Sequence, residues 1–175
     1  MQVKYLLDSN IFVESHNIHY HPNFCEGFWD WITKGFEANI FFSIDKVKVK
    51  VELLRHNDDL SQRIKDHCIP SDFFIKSLGD PLITQSYGHL MDWLNSTTNF
   101  TPKAVSDFQS VSGADSFLIA AAMSYDYIIV TKETSDPNCK KRVKIPDAAK
   151  ANSVQCITLH QLLNKHAEDN FKLKI

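Results

Sequence analysis

The four cysteines, Cys25, Cys68, Cys139 and Cys156, form no CxxC pair, so the chain carries no zinc-ribbon or dithiol signature. No leader points to an oxidising compartment, and the thiols are read as reduced, in a cytosolic protein. No apolar run approaches the length of a membrane span. The amino-terminal residues lack a secretory signal, and an apolar strand begins almost at Met1, which argues against a removed leader. Internal repeats, low-complexity tracts and interdomain linkers are also missing. A dominant charge is lacking as well: the formal net charge is −2, which excludes an obvious general polyanion binder.

What is present is ordinary for a folded protein. The chain has 175 residues, 43% of them apolar and 23% charged, enough for one domain over residues 1–175 with a real core. Basic residues gather in two places, Lys46, Lys48, Lys50 and Arg55, and then Lys140, Lys141, Arg142 and Lys144. Either group reads as a solvated face or as a basic rim around a site.

The elements alternate. Val3 to Leu7 reads as a buried strand ending on Asp8, Ser9 and Asn10. His16 to Phe24 reads as irregular, and Phe24, Phe28, Trp31 and Ile32 fall at helical spacing. Ile40 to Phe42 is a short strand, with Ser43 as a candidate helix cap. The stretch "DKVKVKVELL" fits a strand by the alternation of Val47, Val49 and Val51 and a helix by Ile44, Val47, Val51 and Leu54. Propensity favours strand. Leu60 and Ile64 suggest a helix, and further helices start at Asp80-Pro81 and Thr101-Pro102. An alanine-rich helix follows Gly113 and carries Asp115 in its first turn. Tyr127 to Val130 is a buried strand ending in Thr131-Lys132-Glu133. Thr134 to Pro146 reads as a loop, "VQCIT" as a last strand, and Leu159, Leu162 and Leu163 mark a last helix. This alternation predicts an α/β fold, a central parallel sheet with helices on both faces.

Each acid has a plain structural reading. Asp8 suits a helix cap, Asp115 a helix N-terminus and Glu52 a solvated helix face. The alternative for Asp8 is the carboxyl end of a parallel strand, where open α/β sheets build ligand sites.

Three segments, and the spacing between them, carry a resemblance: "YLLDSNIFV", "VELL" with Glu52, and "ADSFLIAAAMSYDYIIVTKE". With these the chain resembles the PIN-domain family of metal-dependent nucleases along nearly its whole length. It is similar, more narrowly, to a longer PIN-like subfamily of poorly defined function in which "FWDWI" and "VKIPDAA" recur. The resemblance implies helix for "DKVKVKVELL". It puts the four family acids on Asp8, Glu52, Asp115 and Glu133, the last replacing the usual aspartate two residues after Thr131. Asp136 and Asp147 are alternatives for that fourth position.

The resemblance further implies Mg²⁺ or Mn²⁺ held by Asp8 and Asp115, with Glu52 and Glu133 completing the shell directly or through water. Clustered carboxylates need such a counter-charge, and these hard cations prefer oxygen ligands. Ser9, Asn10 and Thr131 would orient water, metal or phosphate, and Lys140, Lys141, Arg142 and Lys144 would contact substrate phosphates. The implied activity is hydrolytic cleavage of RNA phosphodiesters. Many small relatives of this family are the toxin halves of toxin–antitoxin pairs, which implies a small inhibitory antitoxin protein and a homodimer. Rival readings are a silent RNA-binding or interaction module, a nuclease acting on DNA, and a phosphatase using Asp8 as nucleophile. Against the last, Asn10 stands where such enzymes usually have a second aspartate.

His16, His19, His21 and Cys25 invite a zinc reading, but no second ligand pair completes it, and the segment is read as a surface loop over the active site. Phe24, Phe28, Trp29 and Trp31 either stack bases or, more commonly, pack onto the sheet.

Overall fold

The computed structural model describes residues 2–54, 69–110 and 113–175, with backbone alone for residues 52–54. The first strand, β1 (Tyr5–Leu7), leads through Asp8 into α1 (Ser9–Glu14). A π-helical turn, Ser15–His19, continues α1 where the sequence suggested irregular chain. Then follow α2 (Glu26–Glu37), β2 (Phe41–Ile44), α3 (Asp45–Leu54), a 3₁₀ turn (Ser71–Phe73) and β3 (Phe74–Ile75). The chain continues through α4 (Pro81–Ser96), α5 (Pro102–Gln109), α6 (Ala114–Tyr125) and β4 (Ile128–Val130). It ends with α7 (Ile145–Ala151), β5 (Cys156–Ile157), α8 (Leu159–His166) and a hairpin of β6 (Ala167–Glu168) and β7 (Lys172–Leu173).

The protein is an α/β fold. Its central sheet is wholly parallel, in the order β3-β2-β1-β4-β5, and helices flank it. From β1 the chain moves outward to β2 and β3, then returns across β1 to β4 and on to β5. Right-handed crossovers running in opposite directions place their helices on opposite faces. Every residue of β1 is buried, as a strand covered on both sides must be.

The helix signals acted as the sequence indicated. Asp80 and Thr101 cap α4 and α5, their side chains accepting the free N–H groups of the first turn ahead of Pro81 and Pro102. In α6, Ala120, Ala121 and Ala122 are buried together with Leu118 and Ile119; a helix apolar all round has to be enclosed. "DKVKVKVELL" is helical, with Val47 and Val51 buried and Val49 exposed, so tertiary packing overrides strand propensity.

Three expectations need correction, and one element went unforeseen. Ser43 is not a cap: it lies inside β2, buried, and its hydroxyl donates to the Leu7 carbonyl at 2.6 Å. Phe24 precedes α2 and is 72% exposed, while Phe28, Trp29 and Trp31 are buried in the core. The end of the supposed loop, from Ile145, is helix α7, too short to impose a period on the sequence. The terminal hairpin, likewise, gave no signal in two-residue strands. The helix suggested by Leu60 and Ile64 lies outside the described residues.

Two details fix the packing of α2 on the sheet. Gly35 faces the ring of Phe41, so close that a Cβ there would stand 1.9 Å from Cδ2 of the ring. Trp31 lies edge-on to the same ring at 4.7 Å and satisfies its indole by donating to the His166 carbonyl at 2.8 Å. Among the described residues, no helix is long and apolar enough to cross a membrane.

Candidate active site

The carboxyl ends of β1 and β4 are adjacent, and from them the chain departs in opposite directions, α1 leading towards β2 and the segment after Val130 towards β5. That is the switch point at which open parallel sheets form ligand crevices. Register sets what stands there. Leu7 pairs with Val130, so the next residues, Asp8 and Thr131, emerge side by side.

Asp8 is 2% exposed and is held by four donors. Its Oδ1 accepts from the Ser9 backbone N–H at 2.6 Å and from the Ser9 hydroxyl at 3.1 Å. Its Oδ2 accepts from Asn10 Nδ2 at 2.6 Å and from Thr131 Oγ1 at 2.9 Å. The capping reading of Asp8 therefore holds, since it caps α1. The same carboxylate is also tied across to the neighbouring strand end. Asn10 straps the two loops: its amide reaches Thr131 Oγ1 at 3.1 Å and its Oδ1 accepts the Lys132 N–H at 3.2 Å.

Four donors would ordinarily hold a carboxyl acidic. Asp8 is instead pushed up to about 6, first by burial and then by the negative charge of Asp115; Lys50 and the bonds from Thr131 and Ser9 oppose this only in part. Asp8 and Asp115 therefore sense one another, although they sit on a strand end and a helix start. Gly113 helps to place that start. A Cβ on it would come within 2.9 Å of the Ser110 carbonyl, which already accepts the Gly113 N–H at 2.8 Å.

Asp115 meets two cations. Lys50 Nζ of α3 lies 2.9 Å from Oδ1, and Arg142 Nη2 lies 3.4 Å from Oδ2. Arg142 also forms an ion pair with Glu133. The Glu133 side chain is 9% exposed, and its Oε2 accepts the Ile145 N–H at 3.0 Å, at the N-terminus of α7. Of the three acids considered for the fourth position, Glu133 is the one linked to Asp115 through Arg142. Asp147 turns the other way, accepting from the Ser135 hydroxyl and from the Asp136 N–H at 2.9 Å, and Asp136 is exposed. Glu52 lies on α3, but its side chain is outside the described residues.

The basic loop divides. Arg142 turns into the acids, and Lys141 borders a cleft of about 230 Å³ shared with Asp115 and Lys50. Lys140 is exposed and its carbonyl accepts the Thr101 N–H at 2.9 Å, while Lys144 precedes α7 as its half-buried N-cap. The histidine segment gathers only in part: His16 is buried beside the Trp29 ring with the His21 ring 4.7 Å from its own, while His19 is exposed. Among the described residues, no three His, Cys, Asp or Glu side chains converge closely enough to hold a metal ion.

The sequence singled out Asp8, Asp115 and Glu133, and Arg142 as a substrate contact, but carried no signal that Arg142 and Lys50 pair with Asp115. Each stood out as a member of a basic run. That one of each run would turn inward depends on α3 and the loop before α7 converging on Asp115.

No curated protein matches this chain. A model of a domain of unknown function, DUF4411, matches residues 5–170, nearly the whole length, and the chain belongs to that family.

Proposed function

We propose that this protein is a metal-dependent nuclease of PIN-like type that hydrolyses RNA phosphodiester bonds. The observation that carries the reading is Asp8: a buried carboxylate at the switch point of the sheet, fixed by donors on both oxygens and within electrostatic reach of Asp115. The donor chemistry suits Mg²⁺ or Mn²⁺, because every candidate ligand is a carboxylate oxygen. Asp8 and Asp115 would hold the ion, with Glu133 and Glu52 as the outer acids. When bound, such an ion activates water and neutralises charge on the phosphodiester.

The chain's own groups have separable tasks in this reading. Ser9, Asn10 and Thr131 fix both oxygens of Asp8, so its direction does not depend on the ligand. Lys50 and Arg142 supply positive charge at Asp115 and offer the anionic strand a cationic approach. In the hydrolysis, a water oxygen forms a bond to phosphorus, a phosphorus–oxygen bond breaks, and the departing oxygen takes up a proton. The partner of a toxin-type member would be a small antitoxin protein, the assembly a homodimer and the compartment the cytoplasm; these follow from the resemblance to the PIN family.

The test is cleavage of single-stranded RNA with Mn²⁺ or Mg²⁺, compared in the parent, Asp8→Asn and Asp115→Asn. Loss in both variants, with circular dichroism unchanged, supports the reading; full activity in either removes it. One observation favours a second reading, a silent module that binds RNA or protein: Asp115 already has two cations against it. Calorimetric titration with Mn²⁺ separates the two, since a silent site binds the ion weakly.

A further inference from the structure

A second hollow, of about 320 Å³, is bordered by Asn10, by the π-helical turn and α8, and by the Glu14–Lys132 ion pair. Its volume falls near the lower end of ligand pockets, about 300–1,000 Å³. Ile11 and Leu163 form apolar walls, and His19 and His160 stand at the rim. Asn10 belongs to both places: it lines this hollow and donates to Asp8.

Two independent features mark the hollow as more than a packing gap. Ser15 lines it and is fully buried, yet its hydroxyl has no hydrogen-bond partner. Leaving such a group unmet costs about 1–3 kcal/mol. The backbone there is also unusual. Tyr20 N–H bonds back to the Ser15 carbonyl at 2.6 Å, closing a π turn that brings His19 and Tyr20 to the hollow. Single π turns within helices occur frequently at functional sites.

We propose that this hollow is a nucleobase subsite, taking the ring of a residue next to the phosphate at the acid cluster. The phosphate half of that statement rests on the nuclease reading; the ring half does not. A planar base has the ring faces and apolar body that Ile11, Leu163 and the imidazoles accommodate, and a donor edge for the remaining lone pair of Asn10 Oδ1. Asn10 then joins the base to the acids in one strap. Bases are reached in this way only when unstacked, so the substrate strand is single there.

The experiment uses the full chain in EDTA, so that no cleavage occurs. Nucleosides, which lack phosphate, are titrated while the NMR signals of the His19 and His160 imidazoles and the Leu163 methyl groups are followed. Short single-stranded RNAs, with or without an abasic position, are titrated in parallel. The expected result is shifts confined to the hollow and a preference of about tenfold for the base-containing strand. His160→Ala, at an exposed position, and Leu163→Phe, which fills the space, should each remove most of that preference without changing affinity for the abasic strand. Equal affinity for the two strands with silent nucleoside titrations overturns the subsite and leaves the hollow to a protein partner. RNA cleavage together with a silent hollow refutes the subsite and not the nuclease. Nucleoside shifts in a protein that cleaves nothing support the subsite and refute the nuclease.

Discussion

Thr131 donates its hydroxyl to Asp8 Oδ2 at 2.9 Å, although the two residues are 123 apart in sequence. The contact follows from one register pair, Leu7 with Val130, which aligns the ends of two parallel strands. The same hydroxyl oxygen accepts from Asn10 Nδ2 and from the Glu133 N–H at 3.1 Å each. Thr131 is therefore the joint through which Asp8, Asn10 and the segment carrying Glu133 are held together.

Replacing Thr131 tests that joint. Thr131→Val keeps the shape but removes a donor to a buried carboxylate, and should cost about 1–3 kcal/mol of stability. RNA cleavage should fall with it, while Thr131→Ser, which keeps the hydroxyl, should retain most of both. Denaturant midpoints and cleavage rates of the two variants check this. Equal behaviour of valine and serine would show that the hydroxyl is idle.

The raised Asp8 carboxyl has a signature in stability against pH. Its folded value lies at about 6, above the 3.8 of an unperturbed aspartate, so the folded state binds the proton more tightly than the unfolded one. The contribution of Asp8 is then most favourable below pH 3.8 and declines as pH rises from there through 6. A shift of this size corresponds to about 3 kcal/mol. In EDTA, the parent should lose stability across that window relative to Asp8→Asn, as measured by urea unfolding. A parallel pair of curves would contradict it.

Arg142 occupies the approach to Asp115 and Glu133 and so competes with any cation for them. Arg142→Ala should strengthen Mn²⁺ binding several-fold in calorimetry and weaken RNA binding, with a shallower dependence of affinity on salt because fewer counterions are released. Weaker metal binding in this variant would mean that the guanidinium organises the acids and does not compete for them.

Gly35 lets α2 lie directly on the Phe41 ring. Gly35→Ala places a methyl group into a ring already wedged between Trp31 and Tyr5, and overpacking of this kind costs about 1–3 kcal/mol. The thermal midpoint should fall while cleavage per folded molecule stays unchanged, because α2 contributes nothing to the acid cluster. A higher midpoint would show that helix propensity outweighs the clash.

The alternation of strands and helices, the caps at Asp80 and Thr101, and the buried alanine helix were legible because each is local: it depends on residues a few positions apart. Three of the four acids were legible as strand-end and helix-start residues, and the structure brings Asp8 and Asp115 within electrostatic reach and links Glu133 to Asp115 through Arg142. Local pattern failed for "DKVKVKVELL", where two periods fit equally, and for α7 and the terminal hairpin, which are too short to repeat a period.

The sequence by itself determined the class of fold and which residue types would stand at strand ends, since burial and period are written into neighbouring residues. Only the tertiary structure decided which of those groups meet. Strand order and register put Asp8 beside Thr131. The convergence of α3, α6 and the loop before α7 turned Lys50 and Arg142 from surface charges into the partners of Asp115. The physical reason is distance: charge coupling and hydrogen bonding act over a few ångströms in space, and separation along the chain does not encode them.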